Sequence, residues 1–409
     1  MITRRMFLGR CAQTSVLVPF LKSGLFHLPG LEPQGAEGRV LVLLELMGGN
    51  DGLNTVIPYR DEAYFRARPT IHPAKDSILK VHDSFGFHPN LRGFEKLFKE
   101  GRLGVIHGVG YPQPDRSHFR SADIWHTACL CPEKQPLGWL GRLADQLGAH
   151  NVGATPSLVI GQSEVPRALY AARNVSPAIM EEDHLARGSG PEEGQQARRD
   201  LIRALGAPRA EDAESTLGFL RTASKSAFDH ADRVEAAMSV YASTAEYPAS
   251  ALAQKLKLAA KLIAGEYPTT LYYLTQGGYD THSLQAATHG FLLSELGDAL
   301  SAFCQDLQDL SCLERTAVVL YSEFGRRVEE NGSRGTDHGA AAPVFVAGGN
   351  LKNNVIGDPP SLEDLVDGDV RHAVDFRRVY ATLLEDRLCL DSTAILGERF
   401  ERLPLYQEV

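Results

Sequence analysis

Three short runs of this sequence bring carboxylate and imidazole side chains close together, each just after an apolar segment. They are Gly48-Gly49-Asn50-Asp51-Gly52, Gly277-Gly278-Tyr279-Asp280-Thr281-His282, and Ser322-Glu323-Phe324-Gly325-Arg326 followed by Thr336-Asp337-His338-Gly339. Carboxylate oxygens mixed with imidazole nitrogens suit a hard or borderline divalent cation rather than a soft thiolate site. Asp51, Asp280, His282, Glu323, Asp337 and His338 are therefore the candidate ligands of one or two ions drawn from Zn, Mn, Fe, Mg or Ca. Each also has a plain structural reading: an Asp after Gly-Gly forms turns, Asp-x-His makes surface pairs, and Asp-His-Gly closes a turn. The glycines at 48–52 match neither G-x-G-x-x-G nor G-x-x-x-x-G-K-[ST], which argues against a nucleotide phosphate cradle.

A nucleophile candidate stands elsewhere. Ser117 follows Tyr111-Pro112-Gln113-Pro114-Asp115-Arg116 and precedes a helical run, so it is expected at a helix N-terminus, where backbone N–H groups and the dipole favour an anion. Its alternative is an ordinary N-cap serine; Ser121 and Thr55 are weaker candidates. Arg116, Arg120 and Arg326 have the fork that grips two oxygens of an oxyanion, and equally the means to form surface ion pairs.

The elements that must position these residues read as follows. Arg39 to Met47 is a nearly continuous apolar run closed by glycines, the pattern of a central parallel strand buried on both faces. Leu103 to Gly110, Thr269 to Leu274, Thr316 to Tyr321 and Val344 to Ala347 are further strands, with helices over Leu91 to Glu100 and Leu284 to Leu310. Strands alternating with helices predict an α/β fold, a doubly wound and mostly parallel sheet flanked by helices, whose ligands collect beyond the carboxyl ends of the strands. The span of about 176–265 turns to Ala, Glu, Arg and Gln without an apolar strand and is read as a helical insertion, either packing or a lid. Asp375 to Leu390 reads as a final amphipathic helix.

Composition agrees. With 409 residues, 43% hydrophobic and 23% charged, the chain has ample core and is neither disordered nor a polytopic membrane protein. A formal charge of -9 gives no footprint for nucleic acid and points to small-molecule partners. Six cysteines in a chain this long form no dense disulfide framework and no CxxC zinc spacing.

Two resemblances add to this. Arg4-Arg5 ahead of a moderately apolar stretch from Cys11 to Leu28 resembles a twin-arginine export signal over 1–38, with the domain proper at 39–409. That implies a periplasmic or extracytoplasmic location, the twin-arginine translocation machinery as partner, and membrane contact only through the signal segment. Gly48 to Pro58, Asp115 to Trp125, Gly278 to His282, and Ser322 to Arg326 with Gly335 to Gly339 together resemble an exported bacterial family of unknown function within the alkaline phosphatase and sulfatase-like superfamily. The resemblance implies an alkaline phosphatase-like fold and a metal-dependent hydrolase of phosphate or sulfate esters. On its pattern Asp51 is a first metal ligand, Ser117 the nucleophile, Asp280 with His282 the next pair (His289 competing), Glu323 a strand-end ligand, and His338 the last histidine beside Asp337. Arg116 and Arg326 then attend the substrate. Phe324 stands where the superfamily usually has a histidine, which points to an alternative, an inactive binding or scaffold protein. No [CS]-x-P-x-R surrounds Ser117, so formylglycine chemistry is not implied.

Overall fold

The computed structural model describes residues 38–148, 155–180, 200–201, 204 and 230–407. The twin-arginine segment at Arg4-Arg5 and the Gly188 to Gly194 break lie outside them. Among the described residues no helix is long and apolar enough to cross a membrane.

Eleven strands are used below: β1 (Val40–Leu46), β2 (Leu103–Gly110), β3 (Ser157–Ile160), β4 (Ala178–Ile179), β5 (Leu271–Gln276), β6 (Thr316–Tyr321), β7 (Ala342–Gly348), β8 (Val355–Ile356), β9 (Leu365–Val366), β10 (Asp369–Val370) and β11 (Val374–Asp375). The main sheet has nine strands in the order β8-β2-β7-β6-β1-β5-β3-β4, with β11 also pairing β2. β1 runs parallel to β5 and β6 on either side, and β7 is the antiparallel strand between β6 and β2. The fold is thus α/β with a mixed, mostly parallel sheet, as the sequence predicts. Every residue of β1 is buried, which accounts for its unbroken apolar run.

Helices cover both faces. On one lie α3 (Arg92–Lys99), α6 (Ala251–Ala264) and α7 (Gln285–Asp309), packed on Val42, Leu44 and Leu46. On the other lie α4 (His118–Thr127), α5 (Trp139–Gly148), α8 (Phe376–Thr382) and α9 (Ser392–Leu396), packed on Leu41 and Leu43. Two short helices, α1 (Gly52–Thr55) and α2 (Glu62–Ala67), follow β1 directly.

Two expectations need correction. Within the span 176–265, read as helical, β4 is an edge strand beside β3, too short to show as an apolar run, while α6 is a helix that buries Leu252, Leu256, Leu262 and Ile263 in the main core. The tail is not one helix over 375–390. It is α8, a wider π-type turn at Leu383–Arg387, and then α9.

What matters for function is how α4 is fixed to the sheet. Glu45, one residue before the end of β1, is buried on the α4 face, where His126 of α4 places Nε2 3.2 Å from its carboxylate. The Tyr273 hydroxyl donates to Glu45 and lies 3.2 Å from that of Tyr321, while Trp125 stacks on the Tyr321 ring. Burial opposes ionisation of Glu45, but the charge and hydrogen bond of His126 outweigh it and hold the carboxyl below its ordinary range. Burial together with the Glu45 charge pushes the Tyr273 phenol far up, so it remains a donor. Glu45→Gln should cost about 2–3 kcal/mol at pH 7, the scale for hydrogen bonds to a charged group. Because the native carboxyl is depressed, its contribution is complete above an ordinary glutamate pKa of about 4 and is lost as pH falls through the native value. Denaturant melts should therefore show the gap between wild type and variant closing in acid.

Candidate metal centre

The carboxyl ends of β1, β5, β6 and β2 lead into loops that meet on one edge of the sheet. After β1 the chain turns at Gly48 and Gly49, with φ of 112° and 70°, and a Cβ on Gly48 would lie 2.5 Å from the Asp280 nitrogen. Only glycine tolerates both demands. After β2 the chain reaches Ser117, the N-cap of α4, and His118, its first residue. After β5 come Asp280 and His282, and after β6 the loop from Ser322 to Ala341.

Arg326 ties three of these loops together. Its side chain is fully buried. Nε donates to Gly49 O (2.7 Å), Nη1 to Thr336 O (2.7 Å), and Nη2 to Gly48 O, to Tyr279 O (3.1 Å) and to Asp280 Oδ1 (2.7 Å). The expectation that Arg326 attends a substrate is therefore corrected: its donors are spent on carbonyls and on one carboxylate.

Imidazoles gather round that same oxygen. His282 Nε2 is 3.0 Å, His338 Nε2 3.1 Å and His118 Nε2 3.5 Å from Asp280 Oδ1. The opposite nitrogen of each ring is held from behind. His118 Nδ1 meets Glu323 Oε1 at 2.7 Å, His282 Nδ1 meets Asp337 Oδ1 at 3.1 Å, and His338 Nδ1 meets the Arg116 carbonyl at 2.8 Å. A carbonyl only accepts, so His338 carries its proton on Nδ1, and a carboxylate fixes the same tautomer on the other two. All three Nε2 atoms thus lie near Asp280 Oδ1.

Two observations show that this place fits a cation. His282 Nε2 and His338 Nε2 stand 2.9 Å apart, a separation that needs a proton or another positive centre shared by the two nitrogens. His118 Nε2 is buried without a hydrogen-bond partner, an uncommon state for a polar atom. Among the described residues, His118, Asp280 and His338 form the group whose ligand atoms are close enough to share an ion. A proton-accepting carboxylate or carbonyl behind each ring is also the usual construction of metal-bound histidine.

Charge is arranged to match. Burial works against the Asp280 anion, but the hydrogen bond and charge of Arg326 prevail and hold its carboxyl down at about 2. The Glu323 hydrogen bond holds the His118 ring above its ordinary value. Asn331 and then His282 hold Asp337 down.

The predicted residues thus divide. Asp280, His282 and His338 come together as possible ligands. Glu323 and Asp337 stand behind them, orienting His118 and His282 instead of facing an ion. Asp51 does not join: its Oδ2 is taken by Arg68 Nη1 and Gln285 Nε2, both at 2.5 Å, and its Oδ1 by the Asn54 N–H at 3.3 Å. His289, its competitor on α7, is buried against Asn50 and lies outside the cluster. Arg116 pairs with the buried Asp369 of β10, while its carbonyl serves His338. Ser117 is exposed and is the N-cap of α4 by position, but its hydroxyl makes no capping bond to the helix. Ser121 is buried, with its hydroxyl donating to Glu323 O, and Thr55 is buried against Asn50. His118 escaped sequence reasoning, although it follows Ser117 directly and begins the same helix.

The family model described as protein of unknown function (DUF1501) matches residues 105–399. The chain belongs to that family. For DUF1501 this match takes in His118, Asp280, His282 and His338, and leaves the β1 loop with Asp51 before it. Among curated proteins none matches the sequence. Distant likeness extends to the zinc complex of the C-terminal periplasmic domain of EptC from Escherichia coli, at 10% identity over 76% of this chain and 72% of that one with a TM-score of 0.38. The lipoteichoic acid synthase LtaP from Listeria monocytogenes gives 8% over 85% and 77% with 0.33, and alkaline phosphatase from the Antarctic bacterium TAB5 gives 11% over 76% and 90% with 0.32. Likenesses this remote assign no residue of the DUF1501 chain.

Arg326→Leu should be costly, since it strands several buried carbonyls and leaves Asp280 without its counter-charge. Each unmet buried acceptor costs about 1–3 kcal/mol, so a loss of about 3–5 kcal/mol in chemical denaturation is expected. Unchanged stability would show that the loops are held by other means.

Proposed function

We propose that the chain is a metal-dependent hydrolase of phosphate or sulfate esters that works outside the cytoplasm. The observation that carries this reading is the convergence of the His118, His282 and His338 Nε2 atoms on Asp280, next to an exposed serine hydroxyl at a helix N-terminus. Three imidazoles and a carboxylate suit zinc or a neighbouring first-row ion better than magnesium or calcium, which favour all-oxygen sets. A divalent ion held there supplies Lewis acidity toward an ester oxygen.

The chain's own groups supply the rest. The first-turn N–H groups of α4, from His118 to Arg120, are free of intrahelical partners and offer a cradle for the non-bridging oxygens. Ser117 Oγ, at the mouth of that cradle, attacks phosphorus or sulfur, its proton passing to the departing oxygen, which leaves as the alcohol; water then cleaves the serine ester, restoring the hydroxyl and freeing phosphate or sulfate. Arg116 spends Nε and Nη2 on Asp369, which fixes its fork beside Ser117 and keeps Nη1 for a substrate oxygen. Phe324 packs 4.8 Å from the rings of both His118 and His338, forming a wall of the site. Location outside the cytoplasm rests on the Arg4-Arg5 segment.

A panel of phosphomonoesters, phosphodiesters and sulfate esters, assayed with zinc and with manganese, tests the reading. Ser117→Ala should lose at least 100-fold in kcat with metal content and Tm unchanged, on the general scale of removing a covalent nucleophile. Turnover that survives in Ser117→Ala would overturn the serine's role. A metal-loaded wild type inactive on the whole panel would favour a binding protein instead.

A further inference from the structure

Asp51 and Arg68 form an ion pair with no exposed side-chain surface on either partner. Such a pair persists only with further hydrogen bonds to both partners, and here every nitrogen of the guanidinium and both carboxylate oxygens have one. Besides Asp51, Arg68 Nη1 donates to Asn54 Oδ1 (3.0 Å), Nε to Val328 O (2.9 Å) and Nη2 to Arg327 O (2.7 Å). Both Asp51 oxygens are in use, from Arg68, Gln285 and the Asn54 N–H. The nearest imidazole, His289, is turned to Asn50 at 2.9 Å. A cation added beside Asp51 would meet a guanidinium that has nowhere to go, in surroundings where like charges repel strongly. The contrast with Asp280 is direct. That carboxylate also has an arginine, yet its side chain is 47% exposed and it faces three imidazoles, one with an unpartnered nitrogen.

We propose that the centre is mononuclear, holding one divalent cation on His118, His282, His338 and Asp280, and that the Arg68 guanidinium is the built-in positive charge beside Asp51 where a second ion would otherwise sit. This rests on reading the imidazole cluster as a metal centre, and it chooses between the one and two ions expected from the sequence. Asp51 is a structural carboxylate rather than a ligand, and any chemistry at Ser117 proceeds with one exchangeable ion.

The test is stoichiometry, with zinc as probe. The full chain, stripped with chelator, reloaded with excess zinc and desalted, should carry one equivalent by native mass spectrometry and by elemental analysis. His118→Ala and His282→Ala should each lose that zinc and the rise in Tm that it confers. Asp51→Asn should keep one equivalent and the same zinc-induced rise in Tm, starting from a lower baseline. If Asp51→Asn does not fold, the charge-free double variant Asp51→Asn with Arg68→Met takes its place and should also keep one equivalent. Two equivalents in wild type, or zinc lost from either Asp51 variant while the fold is retained, overturn the mononuclear assignment and leave the metal centre standing. Wild type that takes up neither zinc nor manganese overturns the metal reading itself.

Discussion

A guanidinium buried at the carboxyl edge of the sheet sets the geometry of everything above it. Arg326 reaches Gly48, Gly49, Tyr279, Asp280 and Thr336, so the loops after β1, β5 and β6 are pinned to a common centre. The planar fork matters as much as the charge, because its donors diverge at fixed angles and each finds an acceptor on a different loop. With the loops held there, Asp280 is presented to His282 on its own loop and to His338 across the cleft. The α4 helix is brought to the same point separately, by Glu45 and His126 at its far end and by Ser121 near its start.

The two aspartates show how one residue type is given opposite tasks. Each is met by an arginine. Asp51 is sealed by its own and needs nothing more; Asp280 shares one oxygen between Arg326 and three rings and leaves charge facing outward. Burial and the number of donors on the second oxygen make the difference, not the presence of a counter-ion.

Sequence reasoning reached the architecture because continuous apolar runs ending in glycine have few other meanings in a chain that alternates them with helices. It also reached Asp280, His282 and His338, since residues that follow parallel strands must share one edge. It failed where partners are distant. Nothing around Arg68 signals that it closes on Asp51, and nothing around Arg326 tells a substrate ligand from a clamp on carbonyls. Glu323 and Asp337 were legible as chemistry-bearing residues, but whether a carboxylate faces an ion or the back of a histidine depends on a rotation that spacing does not encode. β4 was missed because two residues are too few to show a period, whereas α6 falls in the span that reads as helical.

The centre has no local nucleus. His338 leans on a carbonyl 222 residues earlier in the chain, and His118 on a carboxylate 205 residues later. Closing loops of that length before any of these contacts forms is slow and entropically expensive, so the cluster is expected to be among the last parts of the molecule to assemble. Until then His118 and His338 belong to segments separate from the one that carries Asp280 and His282. Metal capture at the proposed centre would thereby report on completed folding: a chain carrying the ion would be one whose sheet order, helix docking and loop closure are already correct.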